Sequence, residues 1–136
     1  GIAPAVQAQN KVFALVPKNM NNPFFDQARD GCMKAAAEIG GIECYYIGPG
    51  EHGGGDEQFQ MVQDLIAKKV DGLAVSVANA PAIAKAAAAA KAAGIPLITW
   101  DSDLLDKEAT RIIQKSAPFP APGTALKMVV PISFKL

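Results

Sequence analysis

The chain has 136 residues, of which 50% are hydrophobic and 19% charged, with 13 Lys and Arg balancing 13 Asp and Glu for a formal net charge of +0. That length suits one domain with a real core. The balanced charge lacks the basic face that nucleic acid requires and gives no reason to expect an anionic membrane surface as partner; no stretch reaches the ~18 consecutive apolar residues of a bilayer-spanning helix.

Residues 1–10, "GIAPAVQAQN", are small and read as a flexible tail. The "VQA" within them has the small residues of an export-signal cleavage site, and a plain tail reads equally well. "KVFALVPK" (11–18) is a short apolar run fit for a buried parallel strand. A helix follows over 22–40, with Ala28, Cys32, Ala35, Ala36 and Ile39 at helical spacing and Gly40–Gly41 to end it. "IECYYIG" (42–48) is rich in β-formers and reads as the second strand.

The next helix is expected over 56–69, with Phe59, Val62, Leu65 and Ile66 on one stripe and Asp56 placed to cap it. A third strand spans 72–78, an alanine-rich helix 80–94 closed by Gly94, and a fourth strand 95–101. Strands separated by such helices give a parallel sheet with right-handed crossovers. One more helix is expected over 104–117, with Leu105, Ala109, Ile112 and Ile113 inward and Asp106 in its early turn, where a negative charge suits the helix dipole. "PFPAPG" then excludes helix, and 124–136 reads as a strand. Pro131 inside it lacks a ladder donor and so places that strand at a sheet edge.

The fold class that follows is α/β: a three-layer, flavodoxin-like sandwich with a five-stranded, mostly parallel sheet of order 2-1-3-4-5 and the last strand at the edge. The whole chain, 1–136, reads as a single domain. Cys32 lies on a helix and Cys44 on the next strand; those elements pack together, which permits a disulfide, but two buried free thiols are the expectation.

In such a sheet, ligands bind beyond the carboxyl ends of the strands. Asn19, Asn21, Asn22, Phe24 and Phe25 stand there after strand one, Glu51 and His52 after strand two, Ser76 and Asn79 after strand three, and Asp101, Ser102 and Asp103 after strand four. Aromatic rings stack on the apolar face of a sugar, and carboxylates and amides grip vicinal hydroxyls. Phe24 and Phe25 are consecutive on a helix and cannot share a face, so one is expected in the core and the other toward the strand ends.

Other chemistries fit poorly. "GPGEHG" (48–53) matches a dinucleotide-binding glycine pattern, but it follows the second strand, puts Glu51 beside a pyrophosphate, and has no acidic residue at the end of the next strand. His52 is the only histidine, so a metal would rest on Glu51, His52 and Asp56 of one loop. No G-x-S-x-G nucleophile elbow occurs. Asp101 and Asp103, two apart at a strand end, diverge rather than flank a glycosidic bond. No catalysis, cofactor or metal is expected.

Three stretches, "ALVPKNMNNPFFDQARDGCMKAAAEIG", "VQDLIAKKVDGLAVSVAN" and "KAAGIPLITWDSD", together resemble the amino-terminal lobe of the periplasmic sugar-binding proteins of ABC importers, related to the ribose-binding protein and the LacI-type repressor core. The resemblance covers about residues 11–103. It implies that Asn22 hydrogen-bonds a sugar hydroxyl, that Phe24 and Phe25 stack on the ring, and that Asp101 accepts from two hydroxyls. It also implies polar contacts from Ser76 and Asn79, with Asp103 on the same rim. Ribose-type members carry arginine after the strand-four aspartate; here Ser102 stands there, so pentose preference does not transfer. Residues 104–136 instead resemble the end of a TonB-type periplasmic domain, through "APFPAP" and "VPISF", which implies a chimera.

The function expected is a periplasmic, single-lobe carbohydrate binder with half a site and weak affinity. It would take no nucleic acid and enter no membrane, and it would partner with a second lobe or associate with itself through the edge strand. The alternative is a chimeric or designed scaffold without a ligand.

Overall fold

The computed structural model describes residues 9–104. Strand β1 (Lys11–Val16) leads to α1 (Pro23–Ile39), β2 (Ile42–Tyr46), α2 (Asp56–Ala67), β3 (Gly72–Val75), α3 (Ala80–Ala92) and β4 (Leu97–Thr99). All neighbouring strands pair in parallel, in the order β2-β1-β3-β4. The described sheet therefore has four strands, not the expected five. The helix expected over 104–117 and the strand over 124–136 lie outside the described residues, apart from Leu104.

Strand β1 is central because both its edges are taken, by β2 and by β3. Its alternation is set by burial on two faces. Ala14 and Val16, with Leu73, Val75 and Leu97, turn toward Val62 and Leu65 of α2 and Ile83, Ala86 and Ala90 of α3, forming one continuous core. The alanines of α3 let that helix approach the sheet closely, which a larger side chain would prevent. Phe13, on the opposite face, lies over Gly72. A Cβ at Gly72 would come within 2.7 Å of the Phe13 ring, so a larger residue there would push that ring aside.

Helix α1 packs on that second face, against β2, with Phe25 its one buried residue. Ile39, at helical spacing with Cys32 and Ala36, is 69% exposed. Asp56 does not cap α2. Gly55 occupies the cap position with φ +99, and Asp56 lies within the first turn, where its charge complements the helix dipole. A side chain at Gly55 would be excluded twice, by that φ and by Asn79 at 2.5 Å from an added Cβ.

The expectation of two free thiols is corrected: Cys32 and Cys44 form a disulfide, with Cα atoms 6.0 Å apart. Helix α1 lies directly on β2, and that packing puts the two Cα atoms within bridging range. The bond closes a loop with a sequence separation of 12. Limiting the unfolded chain in this way contributes about 3 kcal/mol. Urea unfolding with and without a thiol reductant is expected to show that loss; coincident curves with the bridge verified as reduced would contradict it.

Candidate functional site

The carboxyl ends of β1 and β4 deliver the polar groups, and the amino terminus of α1 closes them in. After Val16 the chain passes through buried Pro17 to Lys18 and Asn19. Helix α1 then starts at Pro23, whose missing N–H costs nothing there. Asn22 caps it, its Oδ1 accepting from the Phe24 N–H at 3.0 Å. The cap engages the amide oxygen, and the Nδ2 donor of Asn22 has no partner among the described residues.

The two phenylalanines diverge as their spacing requires. Phe25 is 3% exposed and meets Trp100 edge-on at 5.7 Å; Phe24 is 38% exposed and meets Phe25 edge-on at 5.2 Å. The Trp100 indole donates to the Ala74 carbonyl at 3.1 Å, which anchors this line of rings to β3.

Asp101 sits at φ +61, in a three-residue turn closed by the Ser102 N–H donating to the Trp100 carbonyl at 2.6 Å. That left-handed turn is strained for a residue with a Cβ, and aspartate tolerates it better than most. Strain of this kind persists where the surroundings over-determine it. Here Ser76 Oγ, fully buried, donates to Asp101 Oδ2 at 2.9 Å, and Lys18 Nζ lies 3.9 Å from the same oxygen. Among the described residues Oδ1 has no partner.

These groups line a cavity of about 340 Å³, formed by Lys18, Asn19, Asn22, Phe24, Phe25, His52 and Asp101. A larger cavity, about 620 Å³, lies on the α1 side of the sheet, with Phe13, Leu15, Ala74 and Ile98 in its lining. It is mostly apolar and extends to Lys11, Asp71 and Gly94 at the amino ends of the strands. The chemistry selects the smaller cavity, which is also where a doubly wound sheet opens.

Of the residues expected at the site, Asn22, Phe24, Phe25 and Asp101 stand together in its lining. Ser76 stands behind Asp101 rather than in the lining. Asn79 is committed elsewhere: its Oδ1 accepts from the Ala82 N–H at 3.0 Å as the cap of α3, and its Nδ2 donates to the Gly54 carbonyl at 3.3 Å. Asp103 is likewise outside the lining, its Oδ1 accepting from Thr99 Oγ1 and the Leu104 N–H, both at 2.6 Å.

Three lining residues were not assigned to the site from sequence: Lys18, Asn19 and His52. Lys18 reads as the end of a strand, although a lysine closing a buried apolar run is itself a signal. Asn19 is only 5% exposed. Its Nδ2 lies 3.4 Å from His52 Nδ1, and its buried Oδ1 has no partner among the described residues. His52 comes from the glycine-rich loop after β2. No cluster of three His, Cys, Asp or Glu suited to a metal occurs among the described residues.

Residues 13–126 match the periplasmic binding protein domain family, and the chain belongs to it. Solved structures agree. A glucose-galactose binding protein from Geobacillus stearothermophilus, GanP, is 27% identical with a TM-score of 0.65 over 70% of this chain and 33% of its own. An ABC transporter solute binding protein from Burkholderia graminis, in complex with D-arabinose, is 33% identical with a TM-score of 0.63 over 73% of this chain and 33% of its own. One from Actinobacillus succinogenes with bound D-allose is 28% identical with a TM-score of 0.69 over 75% of this chain and 35% of its own. The chain thus spans about a third of the length of these proteins.

The hold of Ser76 on Asp101 is measurable. In a double-mutant cycle of Ser76→Ala and Asp101→Ala, the two changes are expected to couple by about 1.5–3 kcal/mol, as for a hydrogen bond to a charged group. Urea unfolding of the four proteins reads it, and additive losses would contradict the contact.

Proposed function

We propose that this lobe contributes half of a carbohydrate site in a periplasmic sugar-binding protein of an ABC importer, and that it does no chemistry. The observation that carries the reading is the Lys18–Asp101 pair standing beside the exposed Phe24 ring. The two charges balance, so a neutral ligand suits them better than an ion. One hydroxyl donates to Asp101 Oδ1, which has no partner among the described residues, and a neighbouring hydroxyl or ring oxygen accepts from Lys18. Adjacent donor and acceptor groups of this kind match vicinal hydroxyls, and the charge on each strengthens its hydrogen bond. Phe24 offers a π-face to the ring's C–H surface, and the Asn22 Nδ2 adds a further donor.

The sugars bound by the related structures support this class. So does the commitment of Asp103 to Thr99 and Leu104, which leaves Asp101 without a second carboxylate to work against a glycosidic bond. Membership of the family supports a periplasmic setting. A partner lobe would enclose the other side of the sugar. The TonB-like pattern of 104–136 supports a carboxyl-terminal segment of separate origin.

One lobe alone holds its ligand weakly. If the other lobe supplies half of a site worth about −8 kcal/mol, about −4 remains for this one, a millimolar Kd. Titration of the whole chain with D-allose, D-arabinose, D-glucose and D-galactose, followed by amide chemical shifts, is expected to move Asn22, Phe24 and Asp101 along a millimolar curve. Asp101→Asn should weaken that curve about tenfold, the cost of one charge-assisted hydrogen bond. Silence across the panel would overturn the proposal in favour of a scaffold without a ligand.

A further inference from the structure

Helix α2 carries a glutamine in its first turn, Gln58, whose side chain is 0% exposed. Glutamine is mostly an exposed residue, and a buried amide is tolerated only when its hydrogen bonds are made. Gln58 makes three. Its Nε2 donates to the Pro17 carbonyl at 3.0 Å and to the Ser76 carbonyl at 2.7 Å, and its Oε1 accepts from the Ala78 N–H at 3.0 Å.

These partners lie where the sheet ends. The Ser76 N–H donating to the Val16 carbonyl at 2.9 Å continues the β1–β3 ladder, and Pro17 has no N–H with which to extend it. Beyond that point Gln58 takes the place of a strand, joining the two departing chains through its own amide. Pro17 is followed directly by Lys18 and Asn19, which line the cavity. Ser76 holds the carboxylate of Asp101. One side chain thus fixes the backbone beneath both members of the Lys18–Asp101 pair.

We infer that Gln58 is a positioning residue of the strand-end site: it sets the spacing of Lys18 and Asp101 without lining the cavity itself. The inference rests on the carbohydrate reading of that cavity. The residue type follows from the bonding pattern. Two carbonyls and one N–H call for two donors and one acceptor on a single planar group, which a primary amide supplies. An ionised glutamate would turn acceptors toward both carbonyls; a protonated one restores a single donor. Methionine keeps the volume and makes no such bond.

The test compares wild type, Gln58→Met, Gln58→Glu and wild type with its Cys32–Cys44 bridge reduced, all as the whole chain, by amide chemical shifts and by D-allose titration. Reduction serves as a destabilised control whose residues lie outside the cavity lining. Gln58→Met is expected to displace the amide signals of Lys18, Asn19 and Asp101 and to weaken D-allose binding about tenfold, while reduction leaves both unchanged. In Gln58→Glu the Lys18, Asn19 and Ala78 signals should titrate together, approaching their wild-type positions as pH falls and the carboxyl gains its proton. If wild type binds no sugar, the carbohydrate reading falls, yet the shifts still judge the positioning role. Site signals and binding unchanged in Gln58→Met, or a Gln58→Glu protein whose site signals ignore pH, would overturn the inference.

Discussion

Strand β1 pairs with β2 along one edge and with β3 along the other, so the chain leaves it in one direction and later returns on its far side. The connections at its carboxyl end must diverge, and a crevice opens between them. Everything polar at this site depends on that divergence. Lys18 and Asn19 are the residues that leave β1, Asn22 and Phe24 begin the helix that carries the chain away, and Asp101 arrives from β4, two strands over. The same pairing leaves no free edge on β1, so its main-chain groups are satisfied and its position is stiff. A site built on it inherits that stiffness.

The polar groups around the crevice fall into two kinds. Some are consumed by the fold: Asn22 Oδ1 and Asn79 Oδ1 cap helices, Asp103 Oδ1 closes its own turn, and Ser76 braces Asp101. Others remain available: Asn22 Nδ2, Lys18 Nζ and Asp101 Oδ1. On the proposed reading, the fold spends one atom of a side chain on positioning and leaves the other for a ligand, which would limit the entropy that binding must overcome. The left-handed turn at Asp101 shows the cost of that arrangement. Backbone strain is accepted where Ser76 and Lys18 together over-determine the carboxylate.

The alternation of strands and helices was legible because apolar runs four to eight residues long and helical stripes differ in period. All seven described elements fall where the pattern puts them. The strands end sooner, however: β1 stops at Val16, where the pattern extends to Lys18, and β3 at Val75, where it extends to Ala78. Side-chain composition does not reveal where a ladder gives way to a side-chain bond, as it does at Gln58. The same reason explains Asn79 and Asp103. Their type and their place at strand ends are readable, but which of their atoms the backbone has already claimed is a matter of local geometry. Lys18 is hidden in the sequence because it closes the apolar run and reads as part of the strand, which ends at Val16. The disulfide is only half legible, because spacing alone says that α1 and β2 touch, not that Cys32 and Cys44 face each other there. The fold class and the rim were thus written in the pattern, and the allocation of individual bonds was not.

The account turns on one placement, a sugar ring in the crevice at the carboxyl end of β1. The most direct measurement is a crystal structure of this chain grown with D-allose well above millimolar concentration. The account predicts a ring lying against Phe24, with adjacent ring substituents on Lys18 Nζ and Asp101 Oδ1. A sugar seated instead in the apolar cavity on the α1 side of the sheet, or no sugar in the crevice at saturating concentration, would contradict it.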